Sequence, residues 1–232
     1  MTTNNSQQNL THQGWEDYYV ATDKAAWKEQ PEEFLIENLN LLAPPNKRLS
    51  ILDIACGDGR NTFLWSDVGH VVFCNDIAAT ALKRIQQQRQ ANVPLLLTGD
   101  FMQLPLLNNQ FDIIQCFDGL PQMPDVPNAI QKMIDFANPG GQIIFNVFTP
   151  NDVAFGKGEQ LSKNAFVYKD TLFSFYTLEE VQSMLPEGVS IVKHETRKWI
   201  DPPHGDFRPY THEHEAIFII IKKQTLNHEK PN

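Results

Sequence analysis

Ile51-Leu52-Asp53-Ile54-Ala55-Cys56-Gly57-Asp58-Gly59-Arg60-Asn61-Thr62 decides how this chain is read. The stretch reads as a buried strand with an acidic residue near its tip, then a tight loop that opens a helix. Gly57 and Gly59, at alternate positions, let the backbone turn sharply and let a ligand lie against it. A loop of this kind after the first strand of a parallel sheet is a nucleotide-type cofactor site.

Strands and helices alternate outward from that loop. Pro31–Leu42 reads as a helix, with proline at its first position, glutamates in its first turn and Phe34, Leu35, Leu39 and Leu42 on one face. Strands are expected at Ser50–Ile54, His70–Asn75, Pro94–Thr98, Phe111–Phe117 and Gln142–Phe148, and helices from Arg60, at Ala78–Gln90 and at Val126–Phe136. Such near-continuous apolar strands between helices predict an α/β fold, a parallel sheet covered on both faces. The rhythm changes from residue 151. Asn151–Ser174 reads as an insertion over the sheet edge or the site, and Thr177-Leu178-Glu179-Glu180 as a capping box opening a helix to Leu185. Val189–Lys198 and Glu213–Lys223 read as two strands that pair antiparallel, since no helix fits between them.

The chain has 232 residues, 41% hydrophobic and 20% charged, with a formal net charge of −9. This suits one globular domain, expected over 15–223 with polar tails at 1–14 and 224–232. The acidic balance and the lack of a Lys/Arg cluster argue against nucleic acid as a partner. The apolar stretches are strand-sized and the N-terminus has no apolar core, so neither a membrane span nor a signal peptide is expected and the location expected is cytoplasmic. Cys56, Cys74 and Cys116 form no C-x-x-C pair and read as buried free thiols rather than as disulfides or zinc ligands.

A dinucleotide site would place glycine where Thr62 stands, and an anionic Asp53 suits a pyrophosphate poorly and a cationic ligand better. Asp53-x-Ala55-x-Gly57-x-Gly59 resembles the first motif of class I S-adenosylmethionine-dependent methyltransferases, with alanine for the usual first glycine. Asn75-Asp76-Ile77, Gly99-Asp100-Phe101, Gln110-Phe111-Asp112 and Pro139-Gly140-Gly141 fall at that family's spacing. The resemblance implies a Rossmann-like three-layer sandwich, its seven-stranded, mostly parallel sheet ending in an antiparallel strand. It also implies S-adenosyl-L-methionine as cofactor, Asp76 on the ribose hydroxyls, Asp100 and Phe101 near the adenine with Ile77, and Phe117-Asp118 beside the methyl group. Asp53, Ala55, Gly57 and Gly59 of the loop, and Phe117, are implied as cofactor-binding residues too. The physical chemistry fits: a carboxylate accepts from two hydroxyls, adenine wants apolar faces and one polar partner, and a sulfonium suits aromatic faces.

Trp15, Tyr18, Tyr19 and Trp27 crowd the region before the first helix. They read either as an aromatic lid, with Tyr19 and Trp27 on the cofactor, or as pins for the N-terminal segment. Together with Gly57-x-Gly59-Arg60-Asn61 and Phe173-x-Phe175-Tyr176-Thr177 they are similar to small methyltransferases of the tellurite-resistance and thiopurine type, which implies a small-molecule methyl acceptor. The connection from Ile200 to His212 should lie over the site. Its His204, Arg208, Tyr210 and His212, with Asp118, are the expected acceptor-contacting or proton-handling groups, Arg208 for an anion and histidine for a proton. His212 and His214 should share one face of a strand. With His204 they match no firm ligand template, so no metal is expected. A nicotinamide-dependent oxidoreductase and a non-catalytic S-adenosylmethionine binder remain the competing readings.

Overall fold

The computed structural model describes residues 13–22, 28–169, 171–203 and 209–225. A helix, α1, covers residues 13–21. Then come α2 (Glu33–Glu37), α3 (Leu39–Leu42), β1 (Ser50–Ile54), α4 (Thr62–Ser66), β2 (Val71–Asp76), α5 (Ala79–Gln88), β3 (Leu95–Thr98), β4 (Phe111–Cys116), α6 (Val126–Phe136) and β5 (Ala137–Phe148). A small meander, β6 (Glu159–Ser162), β7 (Ala165–Tyr168) and β8 (Thr171–Ser174), precedes α7 (Leu178–Met184), β9 (Val189–Asp201) and β10 (His212–Lys223).

The main sheet has seven strands in the order β3-β2-β1-β4-β5-β10-β9. β10 runs antiparallel to both β5 and β9, and the other pairings are parallel. Alternation along the strands divides the core between two faces. Ile51, Ile113, Ile144, Phe218 and Ile220 pack under α2–α5, with Phe34, Trp65, Leu82 and Ile85. Leu52, Ile114, Phe145, Ile217 and Ile219 pack under α6 and α7, with Ile130, Met133 and Val181. The expected three-layer α/β sandwich is thus formed, with a single reversed strand. Among the described residues no helix is long and apolar enough to cross a membrane, and the three cysteines are free and buried.

Local differences have local causes. The helix expected over Pro31–Leu42 breaks at Asn38, whose Nδ2 bonds back to the Phe34 carbonyl (2.7 Å) while Lys193 Nζ reaches its Oδ1 (2.9 Å). The insertion after residue 151 is the antiparallel meander β6-β7-β8. It is fixed to the end of β5 by the Tyr176 amide on the Phe148 carbonyl (2.8 Å) and by Phe166 and Phe175 in the core. The capping box forms as expected: Thr177 Oγ1 accepts from the Glu180 amide, and Glu180 returns a bond to the Thr177 amide. The tails expected at the two ends fall largely on residues outside those described, as do Trp27, His204 and Arg208.

The loop after β1 is where the backbone is most constrained. Gly57 and Gly59 have φ of +56° and +96°, and Ala55 also takes a left-handed φ of +52°. Gly119, after β4, passes so close that a Cβ on it would stand 2.3 Å from the Ala55 Cβ. A side chain costs a left-handed residue about 1–2 kcal/mol, offset in part by the greater unfolded-state freedom of glycine. We expect Ala55→Gly to raise the urea midpoint at unchanged slope, a gain in stability of up to about 1 kcal/mol. Ala55→Val, which adds bulk against Gly119, should lower it. A midpoint reduced by Ala55→Gly would contradict this account of the loop.

Candidate active site

The parallel strands end on one edge of the sheet, where an open α/β fold binds its ligands. The tips of β1, β2 and β3 are tied together there. The Gly57 amide donates to Asp76 Oδ2 (2.8 Å) and the Ala78 amide to Asp76 Oδ1 (2.9 Å). Asn75 Nδ2 donates to the Leu97 and Gly99 carbonyls (2.9 Å each). Asp76 is 7% exposed, and burial pushes its carboxyl up to about 6 against the pull of those amides. The Ile77 amide also lowers it, and a carboxylate with about four acceptor sites keeps one for a hydroxyl.

Asp53 has a different job from a charge partner for a cationic ligand. It is buried (2% exposed), takes the Thr62 hydroxyl at 2.5 Å, and burial raises it to about 7. Its carboxyl therefore pins the start of α4 to β1 and shapes the loop from beneath. Asp100 caps the single turn Phe101–Gln103 by accepting from the Met102 amide (2.9 Å) and stays partly exposed beside the β2–β3 edge. The Phe101 ring is buried and packs edge to face with Phe136, centroids 6.0 Å apart. Ile77 follows Asp76 and is partly exposed. Phe117 is buried against Phe218.

The N-terminal segment covers this edge. From α1, Trp15 Nε1 donates to Gln122 Oε1 (2.8 Å) and Glu16 Oε2 accepts from the Thr80 amide (3.1 Å). Tyr19 is buried, and its hydroxyl lies 2.6 Å from where a Cβ on Gly57 would stand. Burial first, then the carboxylates of Asp76 and Asp58, hold the Tyr19 phenol well above its ordinary value, so it stays a neutral donor. Arg84 supports it from α5, donating to the Tyr19 carbonyl (2.5 Å) and lying 5.3 Å from the ring centroid. Among the described residues, Trp15 and Glu16 tether α1 while the Tyr19 hydroxyl lies against Gly57.

Asp118 forms a second centre at the end of β4. It holds a left-handed φ of +60° because Asn146, on β5, grips it twice. Asn146 Oδ1 accepts from the Asp118 amide (2.7 Å) and Nδ2 donates to its carboxylate (2.9 Å). Arg60 NH2 lies 3.0 Å and Lys28 Nζ 3.5 Å from Asp118 Oδ2. Burial would raise this carboxyl, but Lys28, Arg60 and Asn146 outweigh it and keep it at about 2. Such a group is a poor proton acceptor, which leaves the orienting half of the role expected of it. Arg60 also holds the N-terminal segment, through the Gln30 carbonyl (3.2 Å) and Glu32 (3.6 Å), and Asn61 Oδ1 accepts from the Glu32 amide (2.7 Å).

The β9–β10 connection does start and end on this edge. His212 and His214 lie buried on one face of β10, and Tyr210 is exposed, its ring 5.9 Å from that of His212. Lys28 links the two regions, 3.5 Å from Asp118 and 3.8 Å from Asp201 Oδ1, with Nζ 4.3 Å from the Trp199 ring centroid. Sequence reasoning missed Lys28 and Asn146. Lys28 carries no local signal, but a lone amide within the apolar run Ile143–Phe148 was a usable one, since a buried polar group needs a partner.

Residues 52–145 match the methyltransferase domain family. A malonyl-[acyl-carrier protein] O-methyltransferase from Pectobacterium atrosepticum is 32% identical over 111 residues, 47% of this chain and 42% of that protein. The chain spans about half the length of the curated relatives it matches. Among solved structures, one concerned with converting a disulfide bond into a thioacetal group during echinomycin biosynthesis superposes with a TM-score of 0.69 at 12% identity, covering 94% of each chain. TehB from Haemophilus influenzae superposes at 0.63 and 14% identity, over 90% of this chain and 67% of its own. These two likenesses concern the fold. The glycine bend and most of the first five strands fall within the segment that matches the methyltransferase domain family, and the sheet as a whole agrees with the fold of these solved structures.

Proposed function

We propose that the protein transfers a methyl group from S-adenosyl-L-methionine to a nucleophilic atom of a small molecule. The observation that carries this reading is the bend at Gly57, closed between the Asp76 carboxylate on one side and the Tyr19 hydroxyl on the other. A side chain at position 57 would fill the cradle, while Asp76 is poised to accept from vicinal hydroxyls. The fit to the cofactor is therefore good: Asp76 would hold the ribose, Asp100 with the Phe101 backbone and Ile77 the adenine, and the 57–59 loop with Tyr19 the amino-acid part. When bound, the cofactor supplies an electrophilic methyl group on a sulfonium sulfur.

The protein's own contribution is positioning in a site shielded from water. Asp118, clamped by Asn146, fixes the β4 edge where the acceptor would approach. Lys28 and Arg60, each shared with carboxylates of Asp118, Asp201 or Glu32, would turn toward an anionic acceptor at that edge, with Arg208 as a further candidate. This local charge is needed because the chain as a whole is acidic and does not steer anions. The acidic balance also supports a small acceptor over a polynucleotide, and the free buried cysteines support a cytoplasmic location. His212, His204 and Tyr210 remain the proposed groups on the acceptor side.

The test is release of S-adenosylhomocysteine with a panel of thiol, phenol, carboxylate and amine acceptors. Turnover with one of them supports the proposal. Hydride transfer from a nicotinamide instead, or cofactor binding with no turnover on any acceptor, favours the competing readings. We expect Asp118→Asn to keep S-adenosylhomocysteine affinity and lower turnover on the order of 100-fold, by misplacing the acceptor edge. Equal turnover would remove Asp118 from the mechanism.

Cofactor affinity should follow the ionisation of Asp76. Its carboxyl sits at about 6, so it is charged at pH 7.5 and protonated at pH 5. Calorimetry should show S-adenosylhomocysteine binding weaken as pH falls through about 6. Asp76→Asn should flatten that profile, and Asp76→Ala should weaken binding at pH 7.5 by about 2–3 kcal/mol, the loss of a charged hydrogen-bond pair. Unchanged affinity in Asp76→Ala would contradict the assignment.

A further inference from the structure

Asp201 at the end of β9 and His212 and His214 at the start of β10 are 3%, 5% and 5% exposed. Each offers a metal-ligating atom, and those atoms lie within 4.8 Å of one another. Antiparallel pairing brings them together: Asp201 is opposite His212, and His214 is two residues along on the same face. The linear spacing matches no template because the ligands come from two strands.

The surroundings are those of a built ligand set. His214 Nδ1 lies 2.7 Å from Asp152 Oδ2, and Nε2, on the opposite side of the ring, is 3.8 Å from Asp201 Oδ2. Asp152 is itself fixed, accepting from the Glu215 amide (3.0 Å) and the Ala154 amide (2.8 Å). His212 Nδ1 bonds the Tyr210 carbonyl at 2.8 Å, which requires the proton on Nδ1 and makes Nε2 the basic nitrogen of the neutral ring. A carboxylate or carbonyl behind each imidazole is the outer arrangement that orients metal-ligating histidines. The His214 ring is stacked on Phe148, centroids 5.0 Å apart and 11° from parallel, and Trp199 packs beside both, 5.4 Å from His214 and 6.4 Å from Phe148. Apolar walls of this kind limit water and strengthen binding to the ion.

We propose that Asp201, His212 and His214 bind one divalent first-row transition-metal ion, of the kind taken by two imidazoles and a carboxylate. Three protein ligands leave coordination positions open. Lys28, on the other oxygen of Asp201, spans from this cluster to Asp118 at the end of β4. The site stands apart from the cofactor cradle and does not depend on the methyl-transfer reading.

The test is a metal titration of the full chain after chelator treatment and desalting. Cobalt(II) is the optical probe, with zinc(II) in competition and magnesium(II) as the hard-ion control. We expect one cobalt per chain, with visible bands of a low-coordinate nitrogen–oxygen site displaced by zinc and insensitive to magnesium. His212→Ala with His214→Gln should weaken cobalt binding at least 100-fold. Asp152→Asn, which removes the carboxylate charge behind His214, should weaken it 10- to 100-fold. Exposed His194→Ala should leave it unchanged, which separates this site from surface histidines. The wild-type titration does not rely on any variant folding. Absence of a stoichiometric cobalt complex in the wild-type chain overturns the proposal, as does binding that survives the double substitution.

Discussion

The contact between the Gly57 amide and the Asp76 carboxylate is the constraint on which the rest depends. It is short, 2.8 Å, and possible only because the loop after β1 turns through left-handed φ values and carries no side chain at its apex. It locks the tips of two adjacent parallel strands into one concave edge. Asp53 supports the same edge from below through Thr62, and Tyr19 closes it from above. The two carboxyls are raised by burial while Asp118, a few residues beyond β4, is kept low by two cations and an amide. One edge of a sheet thus holds acidic groups of opposite character: two near neutrality that organise the cradle, and one firmly anionic group that organises the cations.

The fold places these groups cheaply in sequence terms, because each sits at or just beyond a strand tip. β10 adds a second layer of order. By reversing direction between β5 and β9 it brings the start of one long strand and the end of another to the same edge as the loops of β1 to β4. Charged and imidazole groups from residues 28 to 214 converge there, and the meander β6-β7-β8 walls the end of β5 beside them.

Much of this was legible in the sequence. Apolar strands bounded by turn residues, the alternation with helices, the Thr177 capping box and the helix-free link before β10 all carry local signals. The bend after β1 was legible too, because glycine at two alternating positions meets the left-handed backbone that the turn requires. What escaped was non-local. The break at Asn38 arises from a side chain bonding back to its own helix and from Lys193, far along the chain. Asp53 reads as a ligand partner by position, but its buried bond to Thr62 makes it a scaffold. The joining of Asp201 to His212 and His214, and of Lys28 to Asp118, depends on strand register and on how the N-terminal segment lies, neither of which linear spacing encodes.

The most direct test of the central claim is a crystal structure of the full chain soaked with S-adenosylhomocysteine. The account predicts the ribose hydroxyls on the Asp76 carboxylate, the adenine beside Asp100 and Ile77, and the sulfur facing the edge held by Asp118. Density for the nucleoside anywhere else, or an empty cradle in crystals that instead take up a pyridine dinucleotide with its pyrophosphate on the 57–59 loop, would contradict it.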